Sequence, residues 1–171
     1  MSELPTMPGI EVRNVNQVHV GWRGAHRFDA ERPGAPAFRV DADGKEGPGP
    51  VDTLLVALAT CTAVDVVDIL TKRRTPAATL EVDVDGARAK ATPARLIGVL
   101  LRYRITGDGV ERLHAERAIE LAVTKYCSVR NSLDRSLPIS WTLELNGEAG
   151  ELRRESENAG QAEGAALEPR L

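Results

Sequence analysis

The stretch GPGPVDTLLVALATCTAVDVVDIL, residues 47–70, organises the whole chain. Pro50 suits the first turn of a helix, because its missing N–H would have no partner there, and Pro76 stops the helix that follows. Between about residues 50 and 73 that helix is apolar on nearly every side. Such a helix must be covered all round, which indicates wrapping by a sheet or by a partner subunit. Cys61 lies near its middle.

The rest of the chain shows strands and helices in a definite order. Alternation of apolar and polar residues indicates strands, and apolar residues three or four apart indicate helices. We predict strands at 10–23, 26–31, 38–42, 80–85, 95–106 and 138–145, a second long helix at about 109–126 and a short helix at 129–134. This order, β-β-β-α-β-β-α-(α)-β, predicts an α+β fold in which a mostly antiparallel sheet wraps around two long helices.

Charge divides the chain into a body and a tail. Residues 1–146 carry equal numbers of acids and bases and suit a single domain, whereas residues 147–171 carry the whole formal net charge of −3. This acidic C-terminal tail is rich in Glu, Gly and Ala. We expect it to be flexible or weakly helical.

Composition excludes several classes of protein. Hydrophobic residues make up 42% and charged residues 27% of the chain, as in a soluble globular protein. The chain has no basic stripe of the kind that nucleic-acid-binding proteins carry. Asp52, Asp65 and Asp68 interrupt the apolar helix and argue against a membrane span, and residues 1–9 lack the features of a signal peptide. We therefore expect a cytoplasmic protein.

The two cysteines, Cys61 and Cys127, are the candidate reactive groups. The residues alone leave three interpretations open: a peroxidatic thiol with its resolving partner, a plain disulfide, or two inert core residues. A reducing cytoplasm disfavours a permanent disulfide. We predict no metal and no cofactor, because the histidines lack ligand spacing, neither cysteine lies in a Cys-x-x-Cys motif, and no glycine-rich phosphate loop is present (His19, His26, His114).

Two motifs are similar to those of a known family. Residues 47–70 resemble the first cysteine signature of the OsmC/Ohr family, and ERAIELAVTKYCSV, residues 116–129, resembles its second cysteine segment. The resemblance covers roughly residues 10–146 and is greatest to the branch with KYCSV, rather than to the organic hydroperoxide resistance branch with Cys-Pro. It implies an intertwined homodimer whose active sites use both chains. It also implies thiol-dependent reduction of hydroperoxides, organic ones preferred, with dihydrolipoyl groups as the usual electron source.

The same resemblance implies roles for individual residues. Cys61 attacks the peroxide and becomes a sulfenic acid, and Cys127 condenses with it to a disulfide. In the family an arginine and a carboxylate flank the nucleophile. Arg39 is our first choice for the arginine, and Arg23 and Arg27 are the alternatives. For each of the three, a solvated position on the face of a strand is the competing interpretation.

Asp52, nine residues before Cys61, is the carboxylate most like that of the family. Nine residues turn a helix by about 180°, so the two side chains face opposite sides of a straight helix. Asp52 can therefore serve Cys61 only if it precedes the regular helix or acts across a dimer interface. The competing interpretation is an acid in the first turn that favours the helix dipole.

Asp65 is the sequence argument against full peroxidase activity. It follows Cys61 by four residues and shares its face of the helix, and a carboxylate there raises the pKa of a thiol. Either an arginine neutralises Asp65, or the thiol of Cys61 is less reactive.

The sequence thus predicts a homodimeric hydroperoxide reductase of oxidative stress defence that cycles between thiols and a Cys61–Cys127 disulfide. The alternative is a non-enzymatic dimer that binds or senses a small apolar molecule and has buried, non-catalytic cysteines. Three aromatic side chains either line an apolar channel or pack in the core (Trp22, Phe28, Phe38).

Overall fold

The computed structural model describes residues 5–155, in two compact units with a boundary after Thr53. The first unit contains β1 (His19–Trp22), β2 (Arg27–Glu31) and β3 (Phe38–Asp41), and α1 (Pro50–Lys72) starts in it. The second contains β4 (Thr79–Arg88), β5 (Leu96–Thr106), α2 (Arg112–Leu121), a π-helix (Ala122–Tyr126), α3 (Ser128–Ser132), β6 (Ile139–Leu145), β7 (Glu148–Ala149) and β8 (Arg153–Arg154). The predicted α+β class, with mostly antiparallel strands and two long helices, is confirmed.

The first unit is an antiparallel sheet in the order β1-β2-β3, with Trp22 opposite Phe28 and Asp29 opposite Arg39. Alternation along the strands separates an apolar face from a charged one. The predicted first strand, 10–23, is observed only at β1, and residues 10–18 are exposed and outside any strand. Within residues 5–155 no strand pairs with them, and β-type residues without a partner do not form a strand.

The second unit has its core on one face of a five-stranded sheet. β4 and β5 are antiparallel, β5 and β6 are parallel, and β7 and β8 both pair with β6. Because side chains alternate between the faces of a strand, every second residue of β5 and β6 is buried (Val99, Leu101, Tyr103, Ile105, Ile139, Trp141, Leu143, Leu145). A parallel pair needs a crossover connection, which α2, the π-helix and α3 supply.

One stripe of α1 is buried within the chain. Its members are four residues apart and fully buried (Leu58, Thr62, Val66, Leu70), whereas Val64 is 60% exposed. The sequence predicts that α1 is covered on all sides. In the single chain, only one side of the helix is covered. By length and composition α1 is also able to cross a membrane, with a mean hydropathy of 2.0, and core helices of soluble proteins meet the same criterion.

The second predicted helix, 109–126, consists of two kinds of helix. α2 starts at Arg112 and gives way at Ala122 to a π-helix, in which the N–H of Cys127 donates to the carbonyl of Ala122 at 3.0 Å. The wider turn adds one residue before α3. Hydrophobic spacing does not encode this change, so the sequence predicted one continuous helix.

The predicted tail differs from the structure at the residues nearest the body. β7 and β8 lie within it and pair with β6. Two side-chain contacts accompany this pairing: Arg153 forms an ion pair with Glu116 at 2.5 Å and lies 5.6 Å from the ring centroid of Trp141. The remainder of the predicted tail, 156–171, lies outside the described residues.

Candidate functional site

Cys61 and Cys127 lie side by side in the second unit, and both are free thiols. Cys61 is half-buried near the middle of α1 and packs against the core, whereas Cys127 is only 3% exposed. The Cys127 thiol lies near enough to the sulfur of Cys61 to lower the Cys61 pKa. The hydroxyl of Ser128 lies 3.9 Å from the same sulfur. The structure therefore brings together the two residues that the sequence singles out.

The local sequence around Cys127 explains the orientation of its side chain. Cys127 is extended, between the π-helix and α3, and serves as the N-cap residue of α3. Its sulfur accepts the N–H of Arg130 at 3.3 Å, as an N-cap side chain accepts a free N–H of the first turn. The first turn of α3 thereby comes to face Cys61 as well.

The pKa values of the two thiols are shifted in opposite directions. Burial acts to raise the pKa of Cys61, but hydrogen bonds from the N–H of Val129, from the Cys127 thiol and from Ser128 outweigh it, so the pKa is lowered. Burial is the main reason that the pKa of Cys127 is raised to about 12. The pair therefore favours a thiolate on the accessible sulfur and a protonated thiol on the buried one.

Asp65 does not prevent this lowering of the Cys61 pKa. Burial is the main cause of a raised pKa at Asp65; Asp68 adds to it and Lys72 opposes it. Its Oδ2 atom is shielded from solvent and has no hydrogen-bond partner among residues 5–155. Asp65 is not among the groups that chiefly set the pKa of Cys61, so the expected repulsion of a thiolate is weaker than the sequence suggested.

The three predicted arginines belong to one charged network on the first unit. Arg39 donates to Asp29 at 2.5 Å and to Glu46 at 2.6 Å. Arg23 pairs with Asp29 at 2.8 Å, and Arg27 pairs with Glu46 at 2.5 Å. The groups that lower the pKa of Cys61 within residues 5–155 are neutral donors. Which arginine serves Cys61 stays a prediction.

Asp52 lies in the first turn of α1 and accepts the N–H of Gly49 at 2.9 Å. This contact fits the interpretation of an acid at a helix N-terminus. Because α1 begins at Pro50, Asp52 does not precede the regular helix. Action across a dimer interface is the route to Cys61 that remains, and it stays a prediction.

The sequence missed three contributors to the thiol site: Ser128, the N–H of Val129 and the N–H of Arg130. Their contribution depends on the residue at which α3 starts, which the sequence placed at 129 and the structure places at Ser128. A cysteine followed directly by a short polar helical run was the available signal, because Cys127 takes the place of an N-cap Ser or Asp.

The first unit also contains an apolar cavity of about 430 Å³ on its sheet, lined by Val20, Phe28, Ala30, Phe38, Val40, Pro50 and Thr53. Phe28 and Phe38 are two of the three aromatic residues for which a channel or the core was predicted. Within residues 5–155, no group of three or more His, Cys, Asp or Glu side chains is arranged to hold a metal ion.

Comparison with known proteins gives consistent matches. A family model described as "OsmC-like protein" matches residues 42–142. "Protein YhfA" of Escherichia coli K12 is 29% identical over 130 residues, which cover 75% of this chain and 97% of YhfA. A hypothetical protein from Aquifex aeolicus VF5 matches with a TM-score of 0.67 at 27% identity, over 77% of this chain and 98% of that one. An OsmC like protein from Mycoplasma pneumoniae matches with a TM-score of 0.68 at 18% identity, over 78% and 99%.

Proposed function

The chain belongs to the OsmC-like protein family, and from this we propose that it is a thiol-dependent peroxidase for organic hydroperoxides in oxidative stress defence. One arrangement carries the proposal: two free thiols are neighbours, and their surroundings lower the pKa of the accessible Cys61 and raise that of the buried Cys127. This division of acidity suits a nucleophile and a resolving thiol.

The first step is attack by the Cys61 thiolate on one oxygen of a hydroperoxide ROOH. The O–O bond breaks, the sulfur is oxidised to a sulfenic acid, and the leaving alkoxide takes a proton to become the alcohol ROH. The neutral donors around Cys61 support this step because they lower its pKa and so increase the share of thiolate.

The second step joins Cys127 to the oxidised Cys61. The S–H bond of Cys127 and the S–OH bond of Cys61 break, a disulfide forms, and water leaves with the proton of Cys127. The proximity of the two side chains supports this step, since a disulfide needs Cβ atoms about 4 Å apart. A dithiol such as a dihydrolipoyl group then reduces the disulfide by exchange and becomes a cyclic disulfide itself.

The proposal includes a second copy of the chain. Exposed apolar side chains on α1, such as Val64, favour burial against another surface. In such a homodimer, we propose that Arg39 with Asp52 poises Cys61 across the interface. OsmC-like proteins are soluble, and we propose the cytoplasm as the compartment because its thiol reductants return the disulfide to thiols.

Turnover of cumene hydroperoxide with dihydrolipoamide tests the enzyme. We expect steady consumption by the wild type and none by Cys61→Ser. Cys127→Ser is the matched control, because in the absence of the dithiol it should consume one equivalent and leave a sulfenic acid that dimedone traps. Equal rates for the wild type and Cys61→Ser exclude the mechanism.

The apolar cavity of the first unit supports a second candidate, a non-enzymatic protein that binds or senses a small apolar molecule. Its walls are almost wholly hydrophobic, as in many small-molecule sites. Saturable binding of an apolar probe by Cys61→Ser, without hydroperoxide turnover by the wild type, favours this candidate. Turnover that depends on Cys61 rejects it as the main function.

A further inference from the structure

Arg130 is a buried charged residue in α3, and its guanidinium group has no role in the thiol chemistry described above. It is 7% exposed, and a buried guanidinium is tolerated where its charge is paired and its N–H groups are bonded. Its Nε and Nη2 atoms donate to the carboxylate of Glu155 at 2.8 to 3.2 Å. Nη1 donates to the carbonyl of Asp134 at 3.1 Å, and Nη2 to those of Arg135 and Leu137 at 3.3 Å. One side chain thus joins α3, the loop after it and the C-terminal segment.

The backbone of the same residue contacts the thiol site. The N–H of Arg130 donates to the sulfur of Cys127. In the preceding residues of the turn, the Ser128 hydroxyl lies 3.9 Å from the Cys61 sulfur, and the N–H of Val129 helps to lower the Cys61 pKa. A displacement of α3 therefore changes the surroundings of both thiols at once.

Glu155 is fixed at the other end of the ion pair. Its N–H donates to the carbonyl of Ile139 at 2.9 Å, directly after the pairing of β8 with β6. The carboxylate meets Arg130 with both oxygens, a geometry stronger and more directional than a single charged contact. The sheet thus provides a rigid support for the first turn of α3.

We propose that Arg130 and Glu155 are a positioning pair that holds the first turn of α3 against Cys61, so that the C-terminal segment sets the reactivity of the thiols. The part of this pair in turnover rests on the proposed function, whereas the effect of the pair on the reactivity of the thiols does not.

Glu155→Gln tests the pair because it removes the carboxylate charge and keeps the shape. Glu116→Gln is the matched control: it removes the ion pair with Arg153 at 2.5 Å and loosens the same segment away from α3. The readouts are the pH profile of Cys61 alkylation by iodoacetamide, followed by mass spectrometry, and the thiol–disulfide equilibrium in glutathione buffers. We expect the alkylation midpoint of Glu155→Gln to move to higher pH. A midpoint higher by about one pH unit makes the reaction at neutral pH about tenfold slower.

Three outcomes would overturn the proposal: an unchanged profile in Glu155→Gln, an equal change in Glu116→Gln, or a midpoint at lower pH. The last would indicate that the unmasked charge of Arg130, rather than the position of α3, acts on the thiols. Glu155→Asp, which keeps the charge on a shorter side chain, gives the same test if Glu155→Gln does not fold. None of these measurements uses a hydroperoxide. They therefore test the positioning pair independently of peroxidase activity.

Discussion

At the scale of single residues, the acidity of Cys61 depends on neutral donors that the fold supplies. The motif predicted Cys61 and Cys127, because their spacing along the chain carries the resemblance. It did not predict Ser128 or the N–H of Val129, since their contacts depend on the residue at which a five-residue helix begins. Reactive side chains can be predicted from the residue types in a sequence. Backbone N–H donors can be identified only from the structure.

Replacement of Cys127 tests this dependence on neutral donors. Cys127→Ala removes a thiol that helps to lower the Cys61 pKa, so we expect Cys61 to be alkylated with a midpoint at higher pH than in the wild type. Cys127→Ser keeps an O–H donor and should lie between the two. Iodoacetamide labelling across a pH series measures all three proteins. Coincident midpoints for the wild type and Cys127→Ala would contradict the assigned hydrogen bond.

Asp65 gives a prediction about stability and pH. Its pKa is raised in the folded chain, chiefly by burial, so the folded state binds its proton more tightly than the unfolded state. Its contribution to stability is therefore present at acid pH and is lost as pH rises through the raised pKa. We expect Asp65→Asn to gain stability relative to the wild type over that interval, measured as urea midpoints at acid and neutral pH. A difference between the proteins that stays constant with pH would contradict the raised pKa.

At the scale of elements, the sequence predicted those whose pattern is local and missed those that need a partner or a fine change of geometry. The apolar run predicted α1 to within a residue, because Pro50 and Pro76 bound it. The first strand was predicted too long, because residues 10–18 have β propensity but no paired strand in the described chain. The π-helix at Ala122–Tyr126 was missed because one additional residue in a turn leaves no periodic signal.

The two sides of α1 should respond differently to truncation. Leu58 is fully buried, and Leu58→Ala should lower the free energy of unfolding by about 2 to 5 kcal/mol. Val64→Ala on the exposed side should cost much less in the isolated chain. Urea unfolding at a low protein concentration provides the comparison. Similar losses for both variants would show that the exposed side is buried too.

At the scale of the whole molecule, the charge balance predicted a tail from residue 147, but the sheet extends further. β7 and β8 use backbone pairing with β6, and backbone pairing carries no charge signature. The ion pair of Arg153 with Glu116 joins residues 37 positions apart, a contact that local patterns do not encode. Composition therefore predicted where charge accumulates, but not where the fold ends.

Association of two copies is the prediction for the whole molecule. Val64→Lys puts a charge on the exposed side of α1 and should shift sedimentation equilibrium from dimer towards monomer. Leu113→Lys is the matched control, because Leu113 is 71% exposed on α2, outside the proposed α1 interface. We expect its association to match that of the wild type. Identical association constants for all three proteins would place the interface elsewhere.

The parallel pairing of β5 with β6 has a consequence for biosynthesis. Cys127 lies in the crossover between these strands, and β6 and Glu155 follow it in the chain. A growing polypeptide exposes Cys61 long before the strand that closes the crossover leaves the ribosome. We therefore expect Cys61 to behave as an ordinary thiol until synthesis is nearly finished, when the donors of α3 come to lower its pKa. On the proposed function, we expect oxidation at Cys61 to be slower in immature chains than in the finished fold.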